Sequence, residues 1–108
     1  MISVAHFRVD DPGFAARAEQ ALTALGGRPG FVRGNLARSI DDPADWVLVT
    51  EWSDVGSYRR ALGSYQVKLS FTPLFTAALD LPSGFETLAD LRAGGRLTAH
   101  DSDREPTA

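Results

Sequence analysis

Few residues of this chain could do chemistry, and most of those are aromatic. Trp52 closes an apolar run, Tyr58 follows six residues later and Tyr65 seven beyond that. An indole N–H and phenol O–H groups set in apolar walls can orient a flat, oxygenated ligand. The same rings also serve as ordinary core aromatics, and both readings are open at this level. His6 lies in an apolar run. It can act as a general base, or it can be a hydrogen-bonded core or interface residue. Asn35 can donate to a developing oxyanion or pair with a neighbouring backbone group. Other catalytic sets are missing. The chain has no Cys, which removes thiolate ligands, Cys nucleophiles and disulfides. Its two histidines, His6 and His100, do not stand at metal-ligand spacing, so no metal is expected. Gly26-Gly27-Arg28-Pro29-Gly30 lacks the Gly-Lys-Ser/Thr ending of a phosphate loop, and no Gly-x-Ser-x-Gly elbow occurs.

The elements that must carry these residues follow from periodicity. Ile2 to Val9 is rich in β-branched and aromatic residues and reads as a strand. Asp11 and Pro12 suit a helix start, and Phe14, Ala18, Ala21, Leu22 and Leu25 fall on one helical stripe. Gly26-Gly27 ends that helix, and Pro29-Gly30 turns the chain. Phe31 to Arg38 and Trp46 to Trp52 are the next strands. Ser53 is the expected cap of a second helix with Asp54 in its first turn and Val55, Tyr58 and Leu62 as its apolar stripe. Tyr65 to Phe71 fits either period, and helix is favoured. Thr72-Pro73 starts a further short helix, and Phe85 to Leu88 is a last short strand. From Asp90 the apolar residues thin out and lose their period. The expected organisation is therefore one domain over residues 1–89 and a disordered or loosely attached tail over 90–108.

The order β-α-β-β-α-β is that of a ferredoxin-like α+β fold with an antiparallel sheet. Its helices cover one sheet face. Yet Trp46, Leu48 and Trp52 alternate with Val47 and Val49, so both faces of the third strand are apolar. A second copy of the same sheet is the expected cover, which gives a homodimer packed through its sheet faces.

Composition excludes whole classes of function. The chain has 108 residues, enough for one domain, with 11 basic and 14 acidic side chains and a net charge of -3. An RNA-recognition module on this fold needs a basic third strand, and Trp46 to Trp52 has no Lys or Arg, so no nucleic acid is expected. No apolar run is long enough to span a membrane, and Met1 to His6 does not resemble a signal peptide. No membrane partner is expected, and the expected location is cytoplasmic.

Over about residues 1–90 the chain resembles the antibiotic biosynthesis monooxygenase family. The resemblance rests on Pro29-Gly30-Phe31 at the opening of the second strand and on the stretch from Trp46 through Trp52-Ser53-Asp54 to Tyr58-Arg59. It implies a dimeric ferredoxin-like α+β barrel. In members that oxidise anthrones or quinols, it implies a reaction without metal, flavin or other cofactor. There the substrate, as a phenolate or enolate, hands an electron to molecular oxygen, and the protein supplies orientation, a proton acceptor and anion stabilisation. Trp52 and Tyr58 match a Trp and a Tyr implicated in the anthrone-oxidising branch. That branch has an Asn where this chain has Leu48, a His near Ala37 or Arg38, and an Arg for which Lys68 stands. The haem-degrading branch has an Asn where this chain has Phe7 and an axial His that is missing from Val67 to Phe71.

The expected catalytic set is Trp52, Tyr58, His6 and Asn35, with Phe7, Leu48, Tyr65 and Lys68 contacting substrate. The expected function is cofactor-independent monooxygenation of a small aromatic, anthrone-like or quinol substrate by molecular oxygen. The alternatives are a dimeric binder of a flat hydrophobic ligand without catalysis, and an isomerase or cyclase on the same barrel.

Overall fold

A computed structural model describes residues 1–102. The four strands of the main sheet are β1 (Ile2–Arg8), β2 (Phe31–Arg38), β3 (Asp45–Trp52) and β4 (Gly84–Phe85), in the order β2-β3-β1-β4. All neighbouring pairs run antiparallel. The helices are α1 (Phe14–Gly26), α2 (Val55–Leu62) and α3 (Tyr65–Phe71), and a 3₁₀ helix over Thr72–Ala77 follows. This is the α+β, ferredoxin-like order that periodicity predicts.

Register assigns the two faces. Ser3 pairs with Thr50, Ala5 with Leu48, and Phe7 with Trp46. On the other side of β3, Gly34 pairs with Thr50 and Leu36 with Leu48. Paired residues share a face, and this is the face on which Phe7, Leu48 and Trp52 are buried with Phe14, Ala18 and Leu25 of α1. At Gly34 a side chain of α1 packs directly on the sheet. A Cβ there would stand 2.6 Å from Leu22 Cδ1 and 3.1 Å from the Val49 carbonyl. The opposite face carries Ile2, Val4 and His6 of β1 and Val47 and Val49 of β3. These residues are only half-buried.

Several local expectations change. Helix α1 begins at Phe14, after Gly13, rather than at Pro12. Asp11 acts one turn earlier, accepting Gly13 N–H at 2.9 Å and Arg17 Nη2 at 2.6 Å. Asp54, not Ser53, caps α2: its carboxylate accepts Ser57 N–H at 2.6 Å. Tyr65 to Phe71 is helical, and Gly63 and Ser64 separate this helix, α3, from α2. Ser64 starts α3 by accepting Val67 N–H, and Val67 rather than Tyr65 or Leu69 becomes its buried residue.

The last strand of the sheet is Gly84–Phe85, shorter and earlier than Phe85 to Leu88. Beyond it the chain is not structureless. Ala89–Asp90 pairs with Thr98–Ala99 as an antiparallel ribbon, and His100 N–H donates to the Leu88 carbonyl. His100 Nε2 also lies 2.5 Å from Asp90 Oδ2. Backbone pairing and this side-chain contact supply order that apolar periodicity does not report. Residues 103–108 of the expected tail lie outside the described residues. Among the described residues, no helix is long and apolar enough to cross a membrane.

Candidate functional site

A cavity of about 230 Å³ opens between the sheet and the segment that follows β3. Phe7 and Leu48 line its sheet side, Tyr58 and Leu62 come from α2, and Phe71 and Phe75 close it from α3 and the 3₁₀ helix. Local sequence explains each placement. The alternation of β1 and β3 sends Phe7 and Leu48 to the helix side. The Asp54 cap fixes the first turn of α2, and with it the direction of Tyr58. The bond from Ser57 N–H, followed by the Ser57 side chain, holds the Asp54 carboxyl below its ordinary value of 3.8. Gly30 sets the position of the same helix. Its φ is +87°, a conformation that disfavours side chains, and a Cβ would collide with Ser57. Its carbonyl accepts Ser53 N–H at 2.8 Å.

Trp52 and Tyr58 are brought together, with ring centroids 5.9 Å apart. Trp52 is 2% exposed, and Phe31 packs edge-on against it at 5.3 Å. Its indole Nε1–H donates to Thr50 Oγ1 at 2.8 Å. The indole hydrogen is thus satisfied inside the protein, and the ring serves as the wall behind Tyr58 rather than as a ligand donor. The Tyr58 hydroxyl reaches the cavity, where Ser3 Oγ donates to it at 3.3 Å.

The remaining candidates lie elsewhere. His6 borders the cavity where its carbonyl accepts Leu79 N–H at 2.8 Å. Alternation between Ala5 and Phe7 puts its side chain on the opposite face, paired in register with Val47. Asn35 pairs with Val49 and shares that opposite face, so the expected base and oxyanion donor are separated from Trp52 and Tyr58 by the thickness of the sheet. Tyr65 is 74% exposed at the first turn of α3, and Lys68 is exposed on the same helix. Neither lines the cavity, because Val67 takes the inward position.

Ser3 and Thr50 are the residues that sequence reasoning passed over. Ser3 is 7% and Thr50 2% exposed, and they oppose one another across β1 and β3. A signal was available: each is a polar interruption at the parity that otherwise carries Ala5, Phe7, Leu48 and Trp52. Buried hydroxyls at core parity need partners, and here those partners are Tyr58 and Trp52. Among the described residues, none that lines the cavity is Lys, Arg, Asp or Glu. No cluster of His, Asp and Glu among them could hold a metal ion.

This architecture has relatives. A structure of a variant of SnoaB, a cofactor-independent oxygenase from Streptomyces nogalater, is 26% identical, with a TM-score of 0.67 over 72% of this chain and 82% of that one. A putative antibiotic biosynthesis monooxygenase from Nitrosomonas europaea shares the fold at 14% identity, with a TM-score of 0.63 over 77% of this chain and 90% of that one. No curated protein matches the sequence. The family model for antibiotic biosynthesis monooxygenase matches residues 1–78, the span that contains β1 to β3, all three helices and the 3₁₀ helix. The chain belongs to the antibiotic biosynthesis monooxygenase family.

Proposed function

We propose that this protein is a cofactor-independent monooxygenase that oxidises a small anthrone-like, quinol or naphthol substrate with molecular oxygen. The observation that carries the reading is the cavity itself: a mainly apolar chamber lined by Tyr58 and Ser3, whose hydroxyls are bonded to each other. The likeness to SnoaB, a cofactor-independent oxygenase, supports the reaction class. At about 230 Å³ the chamber is smaller than the ~300–1,000 Å³ of most ligand sites, which suits a ligand of a few fused rings.

The chemistry asks little of the protein. With an anthrone as substrate, a ring methylene becomes a carbonyl. One oxygen of dioxygen enters that carbonyl, the other leaves as water with the methylene hydrogens, and the substrate supplies all four electrons. The chain's part is to hold the substrate in a dry site and to donate a hydrogen bond to the oxygen on which anionic charge develops. Tyr58, a lining residue with a hydroxyl, is the candidate for that donation. Among the described residues the lining offers no carboxylate or amine as a base, and the alternation of β1 turns the His6 side chain toward the other face. The substrate's own acidity therefore sets the reactive fraction. Activity is expected to rise with pH along the substrate's ionisation curve, and to shift when the substrate is exchanged for a more acidic one.

The half-buried apolar face with Val4, Val47 and Val49 supports a homodimer packed sheet to sheet, with His6 at the seam. The same uncharged wall favours the second reading, a dimeric binder of a flat hydrophobic ligand that performs no chemistry.

Oxygen uptake separates the two. Purified, metal-stripped protein is mixed in air with anthrone, hydroquinones and naphthols. Uptake above the uncatalysed rate, with anthrone converted to anthraquinone that carries one atom of the dioxygen, establishes the oxygenase. A fall of about a hundredfold in kcat/KM for Tyr58→Phe would match the loss of one donor to an oxyanion. Ligand binding without uptake establishes the binder.

A further inference from the structure

We infer that Thr50, on the sheet floor of the cavity, donates its hydroxyl hydrogen to a ligand carbonyl or phenolate oxygen, and that Trp52 acts through it as a positioning residue. The inference rests on the cavity being the ligand site and adds to that site a group from β3.

Thr50 is 2% exposed and lines the cavity. Its neighbours across the sheet are Ser3 on β1 and Gly34 on β2. Gly34 has no side chain to offer, and the Ser3 hydroxyl is bonded to Tyr58. The side chain that reaches Thr50 is that of Trp52, two positions along the same strand, whose Nε1–H donates to Thr50 Oγ1 at 2.8 Å. An indole nitrogen only donates, so Thr50 is the acceptor of that bond. Its own hydrogen is left over. Among the described residues no group accepts it. A buried hydroxyl hydrogen without an acceptor is costly, and the space beside this one is the cavity.

The indole does more than occupy a lone pair. Phe31 stands edge-on to it at 5.3 Å and Tyr58 at 5.9 Å, so the ring is packed from two sides. A fixed donor restricts the directions in which the Thr50 hydrogen can point, and a hydroxyl that accepts one bond becomes a stronger donor of the next. Trp52 does not itself line the cavity. Its influence on a ligand therefore passes through Thr50. A ketone oxygen fits this donor. A phenolate or enolate oxygen fits it better, because hydrogen bonds to charged acceptors are stronger. Thr50 is thus matched to the charge that develops as a substrate ionises. A hydrocarbon edge leaves its hydrogen unpaired.

Binding tests this without requiring turnover. 1-Tetralone and tetralin share one carbon frame and differ at a carbonyl, an oxygen that accepts but cannot donate. Both are titrated calorimetrically into wild type, Thr50→Val and Thr50→Ser. Thr50→Val should lower the ratio of 1-tetralone to tetralin affinity by roughly three- to tenfold, the worth of one buried hydrogen bond. Thr50→Ser restores the hydroxyl and should keep the ratio within about twofold of wild type. A second readout uses the wild-type protein. The Trp52 indole Hε1 resonance, identified as the one that persists in Trp46→Phe, should move downfield with 1-tetralone and not with tetralin, because donation by Thr50 strengthens the bond it accepts. If Thr50→Val does not fold, this resonance decides. The inference is overturned by an unchanged ratio in Thr50→Val, by an equal loss in Thr50→Ser, or by an Hε1 shift that is the same for both probes. Those outcomes leave the cavity as the ligand site. If neither probe binds saturably, the cavity reading falls and the inference with it. Thr50-dependent binding without oxygen uptake removes the oxygenase reading and leaves this one standing.

Discussion

Trp52 and Tyr58 look interchangeable in sequence, as two aromatics a short helix apart, yet they do different work. Trp52 is buried, wedged against Phe31, with its N–H spent on Thr50. Tyr58 is half-buried, lines the cavity and has its hydroxyl bonded to Ser3. The two substitutions should therefore separate. Trp52→Phe leaves a void and an unpaired Thr50 hydroxyl, and should lower stability by about 1–3 kcal/mol in denaturant melts. Tyr58→Phe should change stability by less than about 1 kcal/mol while removing the donor that a ligand oxygen would meet. Equal stability losses in the two variants would contradict the division of roles.

Helix α2 is the element on which the site depends, and two short devices hold it. Gly30 lets the chain turn back with φ +87° directly beneath Ser57. Gly30→Ala combines backbone strain with a collision against the helix, and should destabilise by about 2–3 kcal/mol. A thermal melt unchanged from wild type would show that α2 can shift away at little cost. The Asp54 cap adds a pH dependence. Its folded pKa lies below the ordinary 3.8, chiefly through the bond from Ser57 N–H. A depressed carboxylate contributes stability that is complete above its unfolded pKa and is lost as pH falls through the folded value. The stability difference between wild type and Asp54→Ala should accordingly be constant near neutrality and close only below pH ~4. A difference that closed between pH 6 and 8 would assign the effect to another group.

At the scale of the molecule the sheet has one finished face and one unfinished face. The helices bury Phe7, Leu48 and Trp52, while Val4, Val47 and Val49 stay half-buried on the other side. Sheets that are apolar on both sides are normally covered on both. Sedimentation at micromolar concentration should give a dimer, and Val47→Glu, a charge placed in the proposed seam, should yield monomers. A wild-type protein that sediments as a monomer would leave those valines unexplained and His6 facing water.

Strand β3 and helix α1 were legible in the sequence because each repeats its period over several turns or residues: Trp46 to Trp52 alternates, and Phe14, Ala18, Ala21 and Leu25 recur at helical spacing. The antiparallel fold and the family both follow from that pattern, together with Pro29-Gly30-Phe31 and Trp52-Ser53-Asp54. The ribbon of Ala89–Asp90 with Thr98–Ala99 was not legible, because backbone and side-chain hydrogen bonds hold it rather than a periodic apolar face. Nor was the composition of the site. A strand's side chains alternate, so a slip of one residue exchanges its faces, and only the pairing of β1 with β3 fixes that parity. It sends Ser3, Ala5 and Phe7 to the cavity side and His6 to the opposite side with Asn35. Sequence determined which residues are available for chemistry; the register of the sheet decided which of them meet.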